Sequence, residues 1–240
     1  MRQENATSTD SPALPTFHGS LPMIDPEDVA LLLVDHQSGL FQVVGDLSVP
    51  DLRRNATVLA KVAGKTGMLV VATASVPQGP NGPFIPEIRE HAPQTVYVPR
   101  KGEVNAWECA DFVKAVKATG KKQLIIAGVL TTVCMAFPAL SAVAEGYQVF
   151  VVPDASGAPI KMAEELTVAR LVQAGVVPMD LIACVAEIQC TWRRPDAMDW
   201  MAIWSEMLPG CQLLVESHQK AQEVERTGEP LDPSATDRVP

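Results

Sequence analysis

Six short apolar runs, spaced by polar loops and by stretches of helical periodicity, set the pattern of this chain. Val29–Val34 is apolar at every position, which suits a strand buried on both faces rather than a half-exposed one. Met68–Thr73, Thr95–Val98, Gln123–Ala127 and Gln148–Val152 read the same way, and Val176-Val177 begins a sixth. Between them, Asp51–Gly64 places Leu52, Val58, Leu59 and Val62 at helical spacing. Ala106–Thr119, Val133–Glu145 and Lys161–Ala174 are predicted helices closed by Gly120, Gly146 and Gly175, glycine being the usual residue just past a helix end. Strand and helix alternate. The predicted fold class is therefore α/β, a doubly wound, mostly parallel six-stranded sheet with helices on both faces in a Rossmann-like three-layer arrangement. A last helical region near Trp192–Met207 carries Trp200 and Trp204 one turn apart, a stripe suited to the sheet or to another subunit.

The ends differ from the middle. Residues 1–22 are rich in Ser, Thr and Pro and lack the basic and continuous apolar regions of a secretory signal, so they are expected to form a flexible arm. Residues 219–240 are polar with no apolar period and are expected to form a disordered tail. One domain is expected over 23–218, with no repeat or linker inside it.

Composition narrows the class. The chain has 240 residues, 47% of them hydrophobic, enough for a well-buried core and too apolar for a disordered chain. No apolar run approaches the ~20 residues that span a bilayer. Nineteen Lys and Arg against 28 Asp and Glu leave a net charge of −9, which argues against nucleic-acid or anionic-membrane partners. Five cysteines with no paired spacing point to free thiols and a reducing, cytoplasmic setting.

In doubly wound sheets ligands bind beyond the C-terminal strand ends. Strand one ends at Asp35, strand three at Arg100-Lys101, and strand four in the turn Gly128–Cys134. An acid, one or two cations and a thiol thus meet on one rim. Each residue has an ordinary role open to it: a turn cap for the acid, solvated surface for the cations, core packing for the thiol. Their convergence favours chemistry. A thiol in the first turn of a helix is expected to ionise more readily, and a neighbouring cation to help it. Asp35 is suited to take the thiol proton and return it to a leaving amine. The turn's backbone N–H groups suit an oxyanion hole. Thr131 and Thr132 are candidate N-caps. Pro138 has no N–H to give the Cys134 carbonyl.

The segment GVLTTVCMAFPALSAVAEGYQVFVVPDASGA, with ALLLVDHQSGLF, GPNGPFIPEI, RKGEVNAW and DFVKAVKATGKKQLIIAGV, resembles the isochorismatase-like cysteine hydrolases, most of all their YcaC-like group. The likeness runs from about Asp25 to Trp192. It implies an Asp–basic–Cys triad of Asp35, Cys134 and either Arg100 or Lys101. Lys101 fits the wider family's spacing, and Arg100 fits the YcaC-like pattern and is favoured. It also implies a cis peptide at Val129–Leu130 and an oxyanion hole from the N–H groups of Leu130 and Cys134. A homo-oligomer follows from the same likeness, with a ring-stacked octamer as one form. Metal-dependent nicotinamidases of this superfamily carry an Asp and His cluster. The corresponding loop SVPQGPNGPFIPE has no His, so neither a metal nor a cofactor is expected.

Gln37, Asn81, Phe84, Asn105, Trp107, Thr131 and Phe137 lie in or beside the same loops and are candidate substrate contacts. Helix capping for Asn105, core packing for Trp107 and a bond to the turn for Thr131 stand as alternatives. His36 is expected to point away from the site, and Cys109, Cys184, Cys190 and Cys211 to be inert. The leading expectation is hydrolysis of an amide- or imide-type C–N bond of a small molecule through a Cys134 thioester. An oligomeric binding or stress-associated scaffold with little turnover is the second. Vinyl-ether hydrolysis, which needs no thiol, is the third.

Overall fold

The computed structural model describes residues 23–228. The arm expected over 1–22, and the part of the tail beyond Gly228, lie outside the described residues. The continuous apolar runs become β1 (Val29–Val34), β2 (Leu69–Ser75), β3 (Val96–Arg100), β4 (Gln123–Gly128), β5 (Gln148–Val151) and β6 (Val177–Pro178). They pair in the order β3-β2-β1-β4-β5-β6, and every neighbouring pair is parallel. The order reverses on either side of β1, which puts the switch-point crevice between β1 and β4.

Helices fill both faces. Leu32, Val34, Leu124, Ile126 and Val149 point to the layer of α3 (Ala110–Ala118), α4 (Ala136–Ala144) and α5 (Lys161–Gln173), against Phe112, Val116, Ala139 and Leu171. Their buried neighbours Leu31, Leu33, Ile125 and Phe150 take the other face. There α1 (Val49–Thr66) meets α2 (Glu87–His91) and α6 (Leu181–Gln189). Ser48 caps α1 by accepting the Asp51 N–H at 3.2 Å, and Gly67, in the left-handed conformation, ends it.

Four local features depart from the sequence reading. α6 was not foreseen. Asp180 caps it through the Ala183 N–H at 2.7 Å, and the run LIACVAEIQ, apolar on most sides, has no clear helical period. The helix expected at Val133 begins as a π turn, Thr131–Met135, before α4. The sheet-bearing unit ends at Ala197 rather than near residue 218. A second compact unit begins at Met198 and comprises most of α7 (Ala197–Met207), with Trp200 buried and Trp204 half-buried, and α8 (Cys211–Thr227). Residues 219–227, expected in a disordered tail, are helical. They lack an apolar stripe, but Gln, Lys, Ala and Glu are strong helix formers, no Pro or Gly interrupts them before Gly228, and Lys220 pairs with Glu223. No helix among the described residues is long and apolar enough to cross a membrane.

The turn after β5 ties several elements together. The Asp154 carbonyl accepts from Asn55 Nδ2 of α1 at 2.8 Å, and its carboxylate accepts the Leu181 N–H at the start of α6 at 3.0 and 3.1 Å. Burial, with Asp180 and Glu164 nearby, pushes this carboxyl up to about 6 against the pull of the Leu181 N–H. The native state therefore holds the proton more tightly than the unfolded chain. The resulting stabilisation is complete below pH ~4 and is lost as the pH rises through about 6. Asp154→Asn should accordingly gain roughly 3 kcal/mol relative to wild type between pH 4 and pH 7 in denaturant titrations. A difference between the two proteins that does not change with pH would refute this.

Candidate active site

The register places the site. Val34 lies level with Thr73 on β2 and Gly128 on β4, and Ser75 lies level with Arg100 on β3. Asp35, one step beyond β1, therefore stands at the mouth of the β1–β4 crevice. Arg100 starts two strands away, about 10 Å at the usual strand spacing, a span that two facing side chains of this length can close.

Asp35 is 2% exposed and adopts a left-handed backbone with φ +57°, a conformation Asp tolerates better than most residues. Its N–H donates to Thr73 O at 2.8 Å, and its Oδ1 accepts the Ser75 N–H at 2.8 Å. Arg100 Nη2 donates to both carboxylate oxygens. The rest of the guanidinium is equally fixed: Nε donates to Thr73 Oγ1 at 3.0 Å, and Nη1 donates to the Glu103 carbonyl. The ion pair is fully buried and each side-chain nitrogen and oxygen of the pair has a partner, the condition under which a buried pair holds its geometry. The pleat decides between the two candidate cations. Arg100 faces Asp35, whereas Lys101 is exposed and its N–H donates to Glu103 Oε2 at 2.8 Å.

Cys134 comes from the other side of the crevice. It sits in the π turn and is partly exposed, with Leu130, Val133 and Met135 around it. Gly128 has to be glycine here: a Cβ would stand 2.8 Å from the Cys134 carbonyl carbon and oxygen. Burial, then the charge and hydrogen bond of Asp35, push the Cys134 thiol well above its ordinary range, and the Leu130 backbone and Arg100 only partly oppose them. This corrects the expectation of a ready thiolate. Arg100 spends its charge on Asp35, so Cys134 is left as a thiol beside a carboxylate.

The peptide Val129–Leu130 is cis. The Cys134 N–H, expected in the oxyanion hole, donates to Leu130 O at 2.8 Å. The Leu130 and Thr132 N–H groups have no acceptor among the described residues and are open donors at the turn. Neither Thr131 nor Thr132 caps the turn: Leu130 occupies that position and no side chain bonds there. Thr131 is buried, its N–H donates to Gly157 O at 2.7 Å, and its Oγ1 has no partner.

Several candidate substrate contacts turn out to hold the walls. Gln37 is buried, donates through Nε2 to Gly82 O at 2.6 Å and Ser75 O at 3.1 Å, and accepts the Ser75 N–H at 3.0 Å. Asn81 Nδ2 reaches Ser75 O at 3.3 Å. Asn105 Oδ1 accepts the Trp107 N–H and its Nδ2 donates to Ser141 Oγ, both at 3.0 Å, while Trp107 Nε1 donates to Glu145 Oε1 at 2.7 Å. These side chains are consumed by the fold. Phe137 is half-buried against the layer that holds Cys134. Phe84 packs against Tyr97 with the rings tilted by 48° and lines a cleft of about 730 Å³ at the outer side of β3, whose walls include neither Asp35, Arg100 nor Cys134.

His36 points away from Asp35, Arg100 and Cys134, as its place next to Asp35 predicts. Its Nε2 lies 2.9 Å from Ala155 O, and burial lowers its pKa to about 4. All five cysteines are free. No group of three or more His, Cys, Asp or Glu among the described residues is placed to hold a metal. Thr73, Ser75, the Glu103 carbonyl and Ser156 are the supports that the sequence reading missed. A Thr or Ser inside an apolar strand-and-turn pattern, or a backbone carbonyl, carries no signal in one sequence.

The isochorismatase domain model matches residues 29–183. The Escherichia coli (strain K12) protein named "Probable hydrolase YcaC" is 44% identical over 195 residues, which cover 81% of this chain and 93% of that one. The crystal structure of the Escherichia coli YcaC gene product, described as an octameric hydrolase of unknown specificity, matches with a TM-score of 0.80 and 41% identity, covering 85% of this chain and 99% of that one. YcaC from Pseudomonas aeruginosa, with hexane-2,5-diol and covalent acrylamide, matches with a TM-score of 0.80 and 44% identity over 84% and 99% of the two chains.

Proposed function

We propose that this chain, which belongs to the isochorismatase family of hydrolases, is a cysteine hydrolase that opens an amide- or imide-type C–N bond of a small molecule. The observation that carries the reading is the Cys134 thiol against the Asp35 carboxylate, itself locked by Arg100. As Sγ attacks the substrate carbonyl carbon, its proton passes to Asp35. The C=O electron pair moves to oxygen, where the free Leu130 N–H receives it. Collapse re-forms the C=O, breaks the C–N bond and expels the amine, which takes the proton from Asp35. Water then attacks the thioester carbon and gives its proton to Asp35. Collapse of that adduct breaks the C–S bond and releases the acid, and Sγ takes the proton back from Asp35. Arg100 balances and orients the carboxylate throughout. Lys101 has no part in this scheme.

The Pseudomonas aeruginosa YcaC carries covalent acrylamide, an electrophile taken up by soft nucleophiles such as thiols, and Cys134 is the cysteine this chain offers at the crevice. The octameric Escherichia coli relative supports a homo-oligomer, which sedimentation of the full chain tests directly. The free cysteines fit a reducing, cytoplasmic setting, and the acidic charge fits a small-molecule substrate rather than nucleic acid or an anionic membrane.

The test of the mechanism is to incubate the protein with a panel of small amides and imides, quench rapidly in acid and map adducts by peptide mass. A hydroxylamine-labile acyl group on Cys134 is expected during turnover. An acyl group on another residue, or turnover in which Cys134 stays unmodified, would refute the thioester route.

A further inference from the structure

The nucleophile turn is held from beneath by the segment that follows β5. Ala155 O faces His36 Nε2, and Gly157 O accepts the Thr131 N–H. Between them, Ser156 is fully buried, and its Oγ accepts the Gly128 N–H at 3.0 Å. The hydroxyl proton is directed to Val152 O at 2.8 Å, with Met135 Sδ at 3.2 Å on the same oxygen. Gly128 is the last residue of β4 and Met135 the last of the π turn, so one hydroxyl touches both ends of the loop that carries Leu130 and Cys134. Gly128 is also in close contact with the Cys134 carbonyl, so its position is passed directly to the cysteine's backbone.

We infer that Ser156 is a positioning residue: its buried hydroxyl ties Gly128 to Val152, in contact with Met135 Sδ at the far end of the turn, and fixes where the Cys134 thiol stands relative to Asp35. The inference rests on Cys134 being the nucleophile, but its test does not need a substrate. No other side-chain hydroxyl is bonded to this turn among the described residues, and the Gly128 N–H would be left without an acceptor if the hydroxyl were removed. Without the clamp the thiol is free to drift from the carboxylate that keeps its proton in place.

The experiment is the pH profile of alkylation by iodoacetamide, read for each cysteine by peptide mass in wild type, Ser156→Ala and Ser156→Thr. In S156A the Cys134 profile is expected to move to lower pH, with alkylation at pH 8 faster by about tenfold, the equivalent of one pKa unit. Cys109 and Cys184, both buried, should keep their wild-type rates, and S156T, which retains the hydroxyl, should follow wild type at Cys134. An unmoved Cys134 profile in S156A overturns the proposal. So does parallel acceleration of Cys109 and Cys184, which marks general loosening, or an S156T profile that follows S156A. If the profile moves as expected but no acyl group forms on Cys134 with any amide, the positioning role stands and the hydrolase reading fails.

Discussion

Cys134→Ala should abolish hydrolysis, lowering kcat/KM by at least ~10³-fold, while leaving the fold intact. The size follows from the mechanism. Without Sγ no thioester forms, and water would have to attack an unactivated amide directly. Cys134→Ser should be nearly as inactive, because a hydroxyl gives up its proton far less readily than a thiol. Stability should change little: Asp35 keeps Arg100, Thr73 and Ser75 as partners, and the side chain removed is partly exposed. Cys190→Ser, at the other partly exposed cysteine, should leave turnover unchanged. The check is turnover of whichever amide proves active, with thermal melts of all three variants. Activity of C134A within tenfold of wild type would remove the thiol from the mechanism.

The second large effect belongs to Arg100. Arg100→Met strips the buried Asp35 carboxylate of its cation and leaves the Thr73 hydroxyl and the Glu103 carbonyl without their guanidinium donors. Breaking one side of such a pair costs about 3–5 kcal/mol, because the remaining charge stays buried. Activity should fall by at least ~10²-fold at temperatures where the variant is still folded. Arg100→Lys should recover part of the stability and little of the activity. One ammonium cannot serve Asp35, Thr73 and the Glu103 carbonyl from a single point, as the planar fork does. Lys101→Ala should match wild type in both respects, since that side chain is exposed. Denaturant unfolding and turnover of R100M, R100K and K101A decide the matter. Loss of activity in K101A equal to that in R100K would contradict the assignment of Arg100.

The sheet and the rim on which Asp35, Arg100 and Cys134 meet were legible because each rests on a local cause. An unbroken apolar run such as Leu31-Leu32-Leu33 needs cover on both faces, so parallel strands and two helical layers follow from it. Asp35, Arg100 and Cys134 stand at strand ends, and in a doubly wound sheet strand ends share one rim. Helix α6 was not legible, since LIACVAEIQ is apolar on too many sides to show a period. The helix over 219–227 was missed for the opposite reason, having propensity without a stripe.

What the sequence determined by itself was therefore the α/β class, the rim and the three residue types on it. Tertiary structure alone decided which cation faces Asp35, which way the Cys134 thiol's pKa is pushed and which amides and hydroxyls are left unbonded. The pleat turns Arg100 inward and Lys101 outward, and the strand spacing brings the guanidinium to Asp35 rather than to sulfur. Burial beside that carboxylate then keeps the proton on Cys134, reversing what a helix start and a nearby arginine suggest along the chain. Gln37, Asn105 and Trp107 look like pocket residues in sequence and are bound to the fold in space, while Ser156 looks like an ordinary loop serine and lies under the turn that carries Cys134. The reason is physical: charge, desolvation and hydrogen-bond satisfaction depend on neighbours far apart in sequence, and only the folded chain sets which neighbours those are.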